Sequence, residues 1–171
     1  MTGVVTDYVN VWEQPEHLEK IHITDAFEAA AEELQNLKSQ ADVTVCIYHG
    51  GYECDLDNGM VLSTSGENVG CRILKELDYD ILLTAHQHMS VPGRDLFGTH
   101  TLQLAPNAAQ YACLDIRLDN GKVSVKSSIC CRGGSWERAL RVSASSGGSG
   151  TGMAGCGHRP LKGAGSGKEQ A

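Results

Sequence analysis

His49, His86 and His88 are the residues of this sequence whose type and placing could do chemistry. Neutral imidazole is the commonest protein ligand for a transition metal. His49 follows the apolar run Val43-Thr44-Val45-Cys46-Ile47-Tyr48, and His86-Gln87-His88 comes just after Asp80-Ile81-Leu82-Leu83-Thr84. In an extended segment two imidazoles at i and i+2 share one face, roughly 6.5–7 Å apart by the strand rise. That separation suits two side chains reaching two metal ions ~3.5–4 Å apart. A single histidine at a strand end is ordinarily a surface or capping residue. It is the convergence of a His-x-His with a third histidine from a neighbouring strand end that points to metal. The remaining histidines read as ordinary: His17 and His22 in a polar connection, His100 at the start of an edge strand, His158 near the C-terminus.

The elements that must position these side chains are legible from periodicity. Gly3 to Asp7 is a short apolar run with strand character. Asp25 followed by Glu28 is a capping start, after which Phe27, Ala30, Leu34 and Leu37 recur at helical spacing as far as Gln40. Val43 to Tyr48 then reads as a buried strand, residues 50–66 as a polar loop, and Ser65 as the opening of a second helix with Val69, Ile73, Leu74 and Leu77 on one face. Asp80 to Thr84 is a further buried strand. Alternating strands and helices predict an α/β layered domain, whose ligand site lies at the carboxyl ends of the strands. Thr101 to Leu104 reads as a strand, and Asn120-Gly121 joins Tyr111–Asp119 to Lys122–Ser128 as a two-residue hairpin. The expected shape is a sheet with helices on one side and a closing β-hairpin.

Composition bounds the rest. The 171 residues, 41% hydrophobic with a net charge of -7, fit one soluble domain. An acidic chain is a poor partner for a nucleic acid polymer, because phosphate backbones are bound by clustered Lys and Arg. No apolar run approaches the ~18 residues of a membrane span. Met1 to Asp7 lacks the basic and then apolar pattern of a signal peptide, so the chain as given is expected in the cytoplasm. Seven scattered cysteines without a Cys-x-x-Cys read as reduced thiols. From residue 130 the character changes to a Gly/Ser-rich stretch with six Lys/Arg against two Asp/Glu, a local balance of +4 that leaves -11 for the remainder. Residues 1–129 are therefore read as one domain and 130–171 as a disordered tail.

Tyr48-His49-Gly50-Gly51-Tyr52-Glu53, followed by Asp80-Ile81-Leu82-Leu83-Thr84-Ala85-His86-Gln87-His88, resembles the last two motifs of the calcineurin-like metallophosphoesterases. It is most similar to the branch containing the 5'-nucleotidases and 2',3'-cyclic-nucleotide 2'-phosphodiesterases. Leu102 to Asn107 and Tyr111 to Asp119 look like the closing strands of that family, so the resemblance runs from about residue 3 to 129.

The resemblance implies the C-terminal half of a layered metallophosphoesterase sandwich. It implies that His49 and His86 bind the second of two divalent ions and His88 the first, with Zn, Mn and Fe all compatible with the donors. The substrate would be a nucleotide or cyclic-nucleotide phosphate ester. Relatives are often exported. Ala85 stands where the family motif has glycine, and alanine would strain the turn if that glycine served a positive φ. The earlier family motifs, with the bridging aspartate and the asparagine-histidine pair, would lie upstream of Gly3. Catalytic residues beyond the three histidines are accordingly unassigned. The chain alone is expected to turn over little or nothing, to act as a metal-binding fragment, or to pair with a separately encoded N-terminal half.

Overall fold

The alternation of apolar runs and amphipathic stretches folds, in a computed structural model describing residues 1–131, into a mixed α/β layer. Its elements are β1 Thr2–Val5, α1 Val9–Trp12, α2 Pro15–Leu18, α3 Ala26–Lys38, β2 Val45–His49, α4 Gly70–Glu76, β3 Ile81–Thr84, β4 Val91–Leu96, β5 Thr99–Gln103, β6 Gln110–Asp119 and β7 Lys122–Cys131. Five strands form one sheet in the order β1-β2-β3-β5-β4, and β6 and β7 form a separate hairpin. β1, β2, β3 and β5 run parallel, while β4 returns antiparallel at the edge. No helix among the described residues is long and apolar enough to cross a membrane.

Helix α3 starts where the sequence places its cap: Asp25 Oδ1 accepts from the Glu28 amide at 2.8 Å, supplying one of the helix's unpaired first-turn donors with an acceptor. Its buried stripe is Ala26, Phe27, Ala30 and Leu34, which meets Cys46, Tyr48, Ile73, Leu74, Tyr79 and Leu82 in a single core. Burial pushes the Cys46 thiol up to about 12, so it stays protonated. The Tyr79 hydroxyl donates to the Ala30 carbonyl at 2.7 Å, tying the approach to β3 onto α3. Asp80 Oδ2 accepts from both the amide and the hydroxyl of Thr44, at 2.7 and 2.8 Å, and this clips together the starts of β2 and β3.

Several expectations need correction. Helix α4 begins at Gly70 rather than Ser65, because the Ser65 hydroxyl accepts from the Glu67 amide two residues on and favours a local turn over a helix cap. The first turn of α4 is met instead by Glu53, whose two carboxylate oxygens accept from the amides of Cys71 and Arg72. Cys54 and Cys71 are joined by a disulfide, with Cα atoms 6.1 Å apart, so these two thiols are not reduced. Strand β2 is buried on one face only: Cys46 and Tyr48 are covered, but Ile47 is 45% exposed. The expected boundary at residue 130 falls inside β7. The expected disordered tail, from residue 132 on, lies outside the described residues.

Strand β4 is an unexpected element, and it moves His100 from an edge strand to an interior one. Pro92 and Gly93 argue against a strand. They are tolerated here because β4 is the edge and its register slips between Val91 and Arg94. His100, 6% exposed, then sits between partners on two other strands. Its Nδ1 lies 2.6 Å from Asp95 Oδ1 on β4 and its Nε2 lies 2.8 Å from Ser127 Oγ on β7. The carboxylate can only accept, so Nδ1 donates and Nε2 accepts from the hydroxyl. This relay is one of the contacts that hold the hairpin against the sheet; Gln110 Oε1, which accepts from the Ser90 hydroxyl and the Ala105 amide, makes others at the start of β6. At the far end of the hairpin, Asn120 and Gly121 both have positive φ, 50° and 77°, as the two-residue turn requires.

The relay leaves no room over Ser127. A Cβ on Gly93 would collide with Ser127 Oγ and come within 2.9 Å of His100 Nε2. Gly93→Ala and Ser127→Ala are each expected to destabilise the domain by about 1–3 kcal/mol, the usual cost of leaving a buried polar group unpaired. Urea denaturation checks this, and unchanged midpoints for both variants would refute the clasp.

Candidate functional site

His49 is the last residue of β2, and His86 and His88 lie in the connection from β3 to β4, at the carboxyl edge of the parallel strands. The rings of His49 and His86 approach edge to face, with centroids 5.6 Å apart and planes at 62°. All three histidines line one cleft of about 490 Å³. Its apolar floor and wall come from Leu83 and Leu102 on the sheet and Ala112 and Leu114 on the hairpin.

The segment carrying His86 and His88 is not extended. Gln87 donates its amide to the Ala85 carbonyl at 2.8 Å, closing a three-residue turn around His86, whose φ is 69°. A γ-turn of this hand is rare and strained. His88 also has positive φ, 54°, whereas Ala85 does not. The substitution of alanine at position 85 is therefore harmless in this respect, and the backbone strain falls on the two histidines themselves. A strained conformation persists only where surrounding contacts over-determine it. Gln87 provides such contacts: its Oε1 accepts from the Tyr52 amide at 2.8 Å and its Nε2 donates to the Tyr52 carbonyl at 2.9 Å. A Cβ on Gly51 would run into the Gln87 amide group, so glycine is needed where the two loops meet.

Two residues that periodicity does not single out also hold His86. His86 Nε2 lies 2.8 Å from Glu67 Oε1, and the indole of Trp12 stacks on the imidazole with centroids 5.0 Å apart and planes at 21°. Trp12 is itself placed by Tyr8, in edge contact at 5.9 Å, whose hydroxyl donates to the Ser65 carbonyl at 2.9 Å. The Glu67 carbonyl accepts from the hydroxyl of fully buried Thr6 at 2.7 Å and, more weakly, from that of Tyr48 at 3.4 Å. Burial pushes the Tyr48 phenol up to about 12, so it remains a neutral donor. The sequence signal for Glu67 and Trp12 is slight: one lies in a Ser/Gly/Asn loop, the other in a four-residue helix.

Three imidazoles and a carboxylate are donor types that suit a divalent transition ion. As the side chains stand, no three His, Cys, Asp or Glu among the described residues gather closely enough to hold one. The types fit; a closed cage is not preformed.

No family model matches the chain, and no curated protein matches it. Among solved structures it is similar to a Staphylococcus aureus protein provisionally assigned as a 5'-nucleotidase, crystallised in complex with α-ketoglutarate. The identity is 30%, the TM-score 0.69, and the match covers 75% of this chain and 26% of that one. The fold is related to that of a phosphoesterase. This chain spans about a quarter of the length of that relative.

The Thr6 hydroxyl is the buried anchor of the loop that presents Glu67, and it also accepts from the Tyr8 amide at 3.3 Å. Thr6→Val keeps the shape and removes both bonds. It is expected to cost about 1–3 kcal/mol and to speed amide exchange across residues 65–69. Exchange rates there identical to those of the parent chain would show that the anchor is dispensable.

Proposed function

We propose that this chain is part of a metal-dependent phosphoester hydrolase acting on a nucleotide or cyclic-nucleotide phosphate, with His49, His86 and His88 as metal ligands. The observation that carries the reading is their meeting at one cleft, at the carboxyl edge of a sheet related to that of a phosphoesterase. Bound divalent ions would supply a nucleophilic water near neutral pH and neutralise charge on the phosphoryl oxygens. The chain's own residues position that chemistry. The sheet register brings His49 beside His86, the Gln87–Tyr52 pair fixes the turn bearing His86 and His88, and Leu83, Leu102 and Leu114 keep one side of the cleft apolar.

The donor set also limits what this portion does alone. Three neutral imidazoles offer an open site for one ion with water in a further position. Two cations side by side need anionic ligands between them. We expect one Zn²⁺ or Mn²⁺ to bind weakly, and hydrolysis of an aryl phosphate and an aryl phosphodiester to stay near background. Calorimetric titration with each metal, beside His49→Ala and His88→Ala, tests the ligand assignment: the substitutions should weaken binding at least tenfold. Metal affinity indifferent to both would sink the assignment. Robust turnover abolished by His88→Ala would show that this portion suffices for catalysis.

A further inference from the structure

Among the described residues Glu67 is the carboxylate in contact with the ring of a proposed ligand, and its geometry says how that ring is used. An ionised carboxylate only accepts hydrogen bonds, so the 2.8 Å contact requires the proton on His86 Nε2. In the neutral ring the remaining nitrogen, Nδ1, then carries the free electron pair. We propose that Glu67 is a positioning residue of the site: it fixes His86 in the Nε2–H tautomer, so that Nδ1 is the atom offered to an electrophile in the cleft. The assignment rests on the reading of His86 as a donor to a divalent ion.

Independent observations bear on it. The pair is not a chance meeting of two mobile surface chains, because both ends are anchored. The Glu67 backbone is held by the Thr6 and Tyr48 hydroxyls, and it reaches His86 across a sequence separation of 19. His86 is held in a strained turn with φ of 69° and is covered on one face by Trp12. A metal-ligating histidine characteristically donates its other ring N–H to a carboxylate or carbonyl, which sets both tautomer and ring orientation. Glu67 supplies that partner. Its backbone anchors do not involve its carboxylate, so truncating the side chain leaves the loop's own fastening in place.

The test uses the full chain, isotopically labelled, at a pH where its imidazoles are neutral. The parent should show a slowly exchanging His86 Nε2 proton. Glu67→Ala should lose it, and Glu67→Gln, which keeps an acceptor oxygen, should retain it. On titration with Zn²⁺ the His86 Nδ1 resonance should move while the Nε2 proton persists. Glu67→Ala should weaken Zn²⁺ binding about ten- to a hundredfold, the usual effect of removing an outer partner of a ligand, with Glu67→Gln closer to the parent. His86→Ala marks the zinc bound elsewhere on the chain. An Nε2 proton that survives in Glu67→Ala, or one that Zn²⁺ displaces in the parent, overturns the proposal. Zn²⁺ binding that His86→Ala leaves unchanged overturns the metal reading instead, and the proton signal then decides the role of Glu67 by itself.

Discussion

The parallel strands of the main sheet end in step, and the site depends on that register. Val5 lies opposite His49, Tyr48 opposite Thr84, and Thr84 opposite Gln103. The chain therefore leaves β2 and β3 at the same height and on the same edge, which is how His49 and His86 come within 5.6 Å of each other. Side chains alternate along a strand, so a slip of β2 by one residue would exchange its faces. Tyr48 would turn away from the core that buries it, and His49 would turn away from the cleft. The fully buried Tyr48 ring, the Asp80–Thr44 clip and the α3 stripe all oppose such a slip. Core packing and site geometry are in this sense one constraint.

How much of this could be read from the residues depends on whether their partners are near in sequence. Helix α3 was legible because its cap and its stripe are local: Asp25 meets Glu28, and Phe27, Ala30 and Leu34 repeat at helical spacing. The hairpin turn at Asn120-Gly121 was legible for the same reason. The strand-end position of the three histidines followed from the apolar runs before them. The conformation of His86 and His88 did not, because it is set by Gln87 bonding to Tyr52, 35 residues away. Glu67 was hidden similarly: its loop reads as polar surface until the fold brings it to His86. Strand β4 was masked by Pro92 and Gly93, whose tolerance depends on which strand forms the edge. The one-sided burial of β2 was also illegible, since an apolar run does not say which of its faces will be covered.

His86 shows local and distant forces acting on a single residue. Its backbone is held in a conformation that costs about 1–3 kcal/mol, while Tyr52 (through the Gln87 side chain), Glu67, Trp12 and His49 each contact the turn or the ring from a different part of the chain. Strain kept in place by that many partners gives a fixed orientation, which distinguishes this imidazole from a histidine that samples rotamers on a surface.

Ser127, which accepts the role of hook in the His100 relay, stands directly opposite Leu114 in the hairpin register. Leu114 is part of the wall of the cleft. The hairpin thus meets the rest of the fold at that rung and again at Gln110, whose side-chain oxygen accepts from the Ser90 hydroxyl and the Ala105 amide. Asp95, His100 and Gly93, none of which lines the cleft, thus bear on the wall that Leu114 forms, through Ser127 beside it. A change at any of these three residues would reach the cleft wall through the hairpin without altering a residue that lines the cleft.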